Sequence, residues 1–222
     1  MRQTMRTLRF RRSRQRRAAL LLLLLPLPFA SGGCAAPVEQ PVERQFYAMD
    51  TVMNLTAYGD RAEEAVAAAV KRVEEIEALS SACLPGSDVA RINAAAGTSA
   101  VVVSPEVLKL VQTAVRYEQL TDGAFDITVG PLIALWGIGT DHESVPSREE
   151  IDRALALVGS DQIQIDAAGS SVMLSKSGMS IDLGGIAKGF AADEILRIFQ
   201  EDGIRSALIN LGSSSLYALG KK

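Results

Sequence analysis

The 222-residue chain predicts an α+β fold, and three observations carry that prediction. Apolar residues recur at spacings of three and four in some segments and alternate in others, so helices and strands are both present. The two kinds of segment do not alternate steadily, as a doubly wound parallel sheet would require. The stretch 45–222 is long enough to bury one sizeable core. Taken in order, Gln45 to Tyr58 carries Phe46, Val52, Leu55 and Tyr58 in loose alternation and reads as a strand pair or one long strand. Asp60 is expected to cap a helix that buries Val66, Val70, Val73 and Ile76. Ser87 predicts the cap of a short helix running through Ala95 and stopped by Gly97, and Val101 to Val103 reads as a brief buried strand. Ser104-Pro105-Glu106 is a helix start, a cap followed by proline in the first turn. That helix is expected to bury Leu108, Val111, Val115 and Leu120. A helix over Ser147 to Val158 precedes short strands near Ile163, Val172 and Ile181. A helix from Gly184 then turns Ile186, Phe190 and Ile195 inward, and strands near Leu208 and Leu216 follow.

Residues 1–33 read as a secretory signal rather than as part of the fold. They hold eight arginines and no acid, then the apolar run Ala18 to Leu25, then Pro26, Pro28 and small residues up to Cys34. The apolar run is far shorter than the ~20 residues of a membrane-spanning helix. Ser31-Gly32-Gly33-Cys34 is similar to a bacterial lipobox, with Ser31 where leucine is usual, which makes Cys34 a candidate for lipidation. Ordinary cleavage after Ala30 or Gly33 is the alternative. The expected organisation is a signal over 1–33, a tether over 34–44 and a folded domain over 45–222. Without the signal, 15 basic side chains face 26 acidic ones, a net charge near −11. Such a body argues against nucleic acid as a partner and against a basic membrane-binding surface. Membrane attachment would rest on the lipid alone, with the protein on the extracytoplasmic side of the cell envelope. Cys34 and Cys83 imply no disulfide framework, and with His142 as the single histidine there is no His/Cys zinc pattern.

The most informative stretch is Ile181-Asp182-Leu183-Gly184-Gly185-Ile186-Ala187-Lys188-Gly189. An acid, two glycines and a helix start beside a lysine are suited to phosphate, because glycine lets backbone approach a ligand and helix N-termini offer unpaired N–H groups. Two well-known phosphate motifs do not fit. Ile186 stands where the dinucleotide fingerprint G-x-G-x-x-G needs glycine, and Gly189 is followed by Phe190 and Ala191 rather than Lys-Ser/Thr.

A second block, Thr121-Asp122-Gly123-Ala124-Phe125-Asp126 continuing to Leu135-Trp136-Gly137, joins the first in a shared resemblance. Met49-Asp50-Thr51, Ser87 to Asn93 and Ala207 to Gly212 fall in the same order. Together these segments resemble the FAD:protein FMN transferases, the ApbE-type flavin transferases once called thiamine-biosynthesis lipoproteins, over roughly residues 45 to 220. The resemblance implies a tunnelling-fold-like α+β architecture. It also implies magnesium-dependent transfer of FMN from FAD to a threonine of an exported flavoprotein subunit, with release of AMP. Hydrolysis of FAD to FMN and AMP, or an inactive flavin-binding lipoprotein, are the alternatives.

Residue by residue, the resemblance implies FAD contacts at Met49, Ala124, Phe125, Asp126, Asp182 and Lys188, and a backbone contact to magnesium at Gly185. Each has a plainer reading. Asp182 can cap the Gly184 helix, Lys188 can be a solvated lysine, Phe125 can be core and Met49 packing filler. Asn93 is expected to stabilise a turn, His142 to lie in a surface loop, and Trp136 to be core or pocket wall. Two departures from the family pattern stand out. Cys83 occupies the position of an aromatic, usually tyrosine, and the His-Ile-Asp-Pro-like segment and later Asp and Thr of the metal site do not occur before Lys222. The resemblance therefore implies a partial domain, expected to fail at FMN transfer even where it binds FAD.

Overall fold

The computed structural model describes residues 40–220. The signal, Cys34 and residues 34–39 of the expected tether lie outside the described residues. In chain order the elements are β1 (Val42–Ala48), β2 (Thr51–Tyr58), α1 (Ala62–Ser80), α2 (Asp88–Ala94), β3 (Val101–Val102) and α3 (Pro105–Leu120). Then come α4 (Gly130–Trp136), α5 (Arg148–Leu155), β4 (Ile163–Asp166), β5 (Ser171–Leu174), α6 (Gly184–Glu201), β6 (Ser206–Leu211) and β7 (Ser215–Leu219).

The strands form two antiparallel sheets, one in the order β1-β2-β6-β7 and the other β3-β5-β4. The first strand expectation resolves as a pair. β1 opens at Val42, opposite Ala57, so residues 42–44 of the expected tether run in the sheet. Alternation along β2 buries Met53, Leu55 and Ala57, and in register on β6 lie Leu211, Ile209 and Ala207. α1 and α6 cover this face with Val66, Val73 and Ile76 from one helix and Ala191, Ile195 and Phe199 from the other. Tyr47, Val52, Leu208 and Leu216 remain exposed.

The second core gathers α2, α3, the small sheet and the first turns of α6 around Ile92, Leu110, Leu174, Ile181 and Leu183. Serine caps start α2, α3 and α5. Ser87 accepts from the Ala90 N–H at 2.9 Å, Ser104 from Val107 at 3.3 Å, and Ser147 and Glu150 form a reciprocal capping box ahead of α5. Asp88 is buried, accepts the Ser104 N–H at 2.6 Å and pairs with Arg91. Burial pushes its carboxyl up, but the bonds from Ser104 and the charge and bond of Arg91 outweigh it and hold the group below the ordinary carboxylate range.

Several local expectations change. α1 begins at Ala62 with Arg61 in the cap position and no side-chain cap bond; the chain turns at Gly59 (φ +130°), whose carbonyl accepts the Ala62 N–H, so Asp60 is not needed there. The buried stripe of α3 is Val107, Leu110, Val111 and Ala114, while Leu120 in the last turn is 67% exposed. Val102 is exposed and Val103, just past the strand, is buried. Ile181 is fully buried but belongs to no strand. α4 was not anticipated, although Pro131 in its first turn and Gly137 (φ +65°) after its end are ordinary start and stop signals. Trp136 ends that helix 37% exposed, beside Val145.

Candidate functional site

A cleft opens where the β1–β2 turn, the end of α1 and the start of α6 meet, walled by Met49, Asp50, Glu77, Cys83, Asp182 and Lys188 among others. Each wall has a local cause. The hairpin turn is two residues long and both are left-handed, Met49 at φ 49° and Asp50 at φ 56°, as the right-handed twist of the flanking strands favours. The Met49 N–H donates to Glu77 Oε1 at 2.8 Å. α1 stops at Ser80, and Ser81 turns to extended backbone while its N–H still donates to the Glu77 carbonyl. Ser81 Oγ then accepts the N–H groups of Cys83 and Leu84, both at 3.2 Å, and this turn brings the exposed Cys83 to the cleft.

The segment before α6 is held by side chains rather than by a ladder. Asn93 Oδ1 accepts the Ile181 N–H at 2.8 Å and Asn93 Nδ2 donates to the Ile181 carbonyl at 3.0 Å. The Asp182 N–H donates to the Ile127 carbonyl at 2.8 Å. Asp182 Oδ1 accepts the Gly184 N–H at 2.8 Å, so the capping reading of Asp182 holds for one oxygen, although Leu183 occupies the cap position. Oδ2 makes no hydrogen bond among the described residues. Lys188, one turn into α6, forms no ion pair among them either. The cleft therefore presents carboxylate acceptors, one ammonium and a helix N-terminus together.

A second cleft adjoins the first, and the two share Ala82, Cys83 and Asp182. Their cavity volumes are about 110 and 490 Å³, so the second alone reaches the scale of a small-molecule site and the first extends it. Asn93, Ile133 of α4, Ser180 and His142 line the second. His142 is exposed on its loop, as expected, but that loop folds back so that the His142 carbonyl lies against Gly137.

Met49, Asp182 and Lys188 are thus brought to one wall. Ala124, Phe125 and Gly185 stand together just outside it. Phe125 is half-buried, edge-on to Tyr117 with centroids 6.4 Å apart, and a Cβ on Gly185 would lie 3.0 Å from its ring. That close approach is a packing reason for glycine at 185. Ala124 is exposed. Asp126 faces a separate hollow with Glu118 and Asp161, and its Oδ1 accepts both the N–H and the hydroxyl of Thr128 at 2.7 Å. Thr128, fully buried, in turn accepts the Gly159 N–H at 2.7 Å. Among the described residues no three His, Cys, Asp or Glu side chains converge as a metal site, and Gly185 has only a carbonyl to offer. The described residues do not by themselves fit a magnesium centre. Sequence reasoning missed Glu77, Asp50 and Ser81. The available signal was Glu77 itself, an acid in the last turn of a helix that has no basic residue there.

Comparison with known proteins gives a consistent answer. The chain is 38% identical over 152 residues to a FAD:protein FMN transferase of Klebsiella pneumoniae, covering 68% of this chain and 47% of the relative. It is 34% identical over 181 residues to one of Treponema pallidum, covering 78% and 50%. Among solved structures it resembles the ApbE protein of Thermotoga maritima with a TM-score of 0.71 at 32% identity, over 81% of this chain and 57% of that one. The flavin transferase ApbE of Vibrio cholerae superposes with a TM-score of 0.76 at 26% identity, over 83% and 60%. The chain spans about half the length of the curated relatives it matches. Residues 49–222 match the ApbE family, and the chain belongs to it.

Proposed function

We propose that the paired clefts bind FAD and that the chain serves transfer of FMN from FAD to a threonine hydroxyl of a target flavoprotein. In that reaction the hydroxyl oxygen bonds to the phosphorus of the FMN half, the pyrophosphate P–O bond breaks, and AMP leaves with the bridging oxygen. The observation that carries the reading is the pair of clefts meeting at Asp182, since a dinucleotide is an elongated ligand with two ring systems and a charged middle. The start of α6 and Lys188 supply positive charge for phosphate. Asp182 Oδ2 is an acceptor for ligand hydroxyl or ring N–H groups, and Met49 offers an apolar contact. Phosphoryl transfer depends mainly on positioning and charge neutralisation, and a divalent cation supplies the latter when bound. Gly185 matches a family metal-site position and would offer that cation its backbone carbonyl. Anchoring to a membrane through lipid on Cys34, on the extracytoplasmic side, is part of the same proposal and rests on the signal pattern of residues 1–34.

The test is a FAD titration of the wild type and Asp182→Ala. Loss of one charge-assisted bond weakens binding about tenfold or more while the fold persists. Unchanged affinity returns Asp182 to its bond with Gly184 alone. Incubation with FAD, magnesium and a threonine-bearing acceptor then separates the reactions: flavin fluorescence on the acceptor marks transfer, and free FMN marks hydrolysis.

A further inference from the structure

Met49 and Asp50 are the one pair of consecutive non-glycine residues with positive φ among the described residues, and both stand in the cleft wall. A two-residue turn of this shape ordinarily takes Asn-Gly or Asp-Gly, because a Cβ in left-handed backbone crowds the following carbonyl. Methionine has neither the freedom of glycine nor a short polar side chain that bonds locally, so the turn has to be held from outside. The strand ladder holds one side through the closing pair Ala48 and Thr51. The other side is held by Glu77, 28 residues away, whose carboxylate accepts the Met49 N–H at 2.8 Å. Met49 also packs against both hydrophobic cores.

Glu77 is itself placed against local preference. It lies in the last turn of α1, where helix carbonyls disfavour negative charge and where no basic residue compensates. A residue that breaks a local rule while gripping strained backbone in a site wall has its cause in the site. We propose that Glu77 is a positioning residue: by accepting the Met49 N–H it keeps the β1–β2 turn left-handed, and so keeps Met49 and Asp50 in the wall shared with Asp182 and Lys188. The identity of the ligand that meets this wall rests on the flavin reading above, whereas the grip on Met49 does not.

The experiment uses the full-length protein with Glu77→Gln, Glu77→Ala and the double variant Glu77→Ala/Asp50→Gly. Hydrogen exchange at the Met49 amide, followed by NMR without ligand, reports the grip, and flavin fluorescence reports FAD affinity. Glu77→Ala is expected to speed Met49 exchange and to weaken FAD binding about tenfold, the size of one lost charge-assisted bond. Glu77→Gln retains an acceptor oxygen and stays near wild type in both readouts. Glycine adopts positive φ freely, so the double variant recovers most of the affinity without recovering the Met49 bond. Equal losses in Glu77→Gln and Glu77→Ala, with no recovery in the double variant, would mean that the charge touches the ligand and would overturn the proposal. Unchanged Met49 exchange in Glu77→Ala would overturn the grip. A wild-type protein with no FAD affinity would overturn the flavin reading and the positioning role with it, while Met49 exchange would still judge the grip alone.

Discussion

The core under the four-stranded sheet and the core around α2, α3 and the small sheet are built on different terms. The first consists of apolar side chains facing a continuous ladder, with Met53, Leu55, Ile195 and Phe199 all fully buried. Next to apolar members of the second in the chain, Ser87, Asp88 and Thr128 are buried as well, whereas α1 buries one polar residue, Ser80 in its last turn. None of the buried side-chain polar atoms described lacks a hydrogen-bond partner. The reason is backbone accounting. A sheet satisfies its own N–H and C=O groups, whereas short helices and irregular segments expose ends that need side-chain partners. The cleft lies on the seam, where Met49 and Phe190 pack against both cores. Its walls are ladder on one side and side-chain clamps on the other.

The largest expected effect lies in the dry core. Phe199→Ala should cost about 3–5 kcal/mol in denaturant unfolding, because it removes a fully buried ring from a close-packed layer, and should leave FAD affinity of the folded protein nearly unchanged. A loss below about 1 kcal/mol would show that this core is looser than its burial implies. Asn93→Ala is intermediate. It orphans the Ile181 N–H and carbonyl, a cost of about 1–3 kcal/mol, and it should weaken FAD binding as well, since Ile181 leads directly to Asp182. Lost stability with intact affinity would separate the clamp from the site. Asp88→Asn is the smallest, about 1 kcal/mol at neutral pH. The folded carboxyl lies below its ordinary value, so its contribution is present above about pH 4 and disappears as pH falls through the depressed folded value. Melting temperature against pH should therefore fall less steeply below pH 4 in Asp88→Asn than in wild type. Parallel acid limbs would show that Asp88 is not a source of acid sensitivity.

Local signals were the legible ones. Ser87, Ser104 and Ser147 each start the helix they announce, because a cap bond spans only three residues. Loose alternation announced the strands but not the buried face of β2: Val52 is exposed, and Met53 and Ala57 are buried beside Leu55. Asp60 failed as a cap because the turn at Gly59 already serves the first amide of α1 with a backbone carbonyl. Ile181 read as a strand because burial and β-branching are what a strand shows; Asn93 supplies the bonds that a neighbouring strand otherwise would. In the site, Asp182 and Lys188 were visible beside the glycines of α6, and Met49 through family resemblance. Glu77 carried no motif, and its bond partner is a backbone amide that no residue pattern announces.

The sequence by itself determined the α+β class, the starts of α2, α3 and α5, the excess of acid after the arginine-rich segment and the family to which the chain belongs. The first three follow from composition, from periodicity and from bonds between near neighbours in the chain, and the family from motifs that match it in order along residues 49–222. Only the tertiary structure decided that the β1–β2 turn, the end of α1 and the start of α6 form one cleft. It alone decided that Asp126 turns to a separate hollow, and that Phe125 lies so close to Gly185 that a side chain there would crowd it. Those outcomes depend on contacts between residues far apart in sequence, whose geometry exists only once both cores have packed.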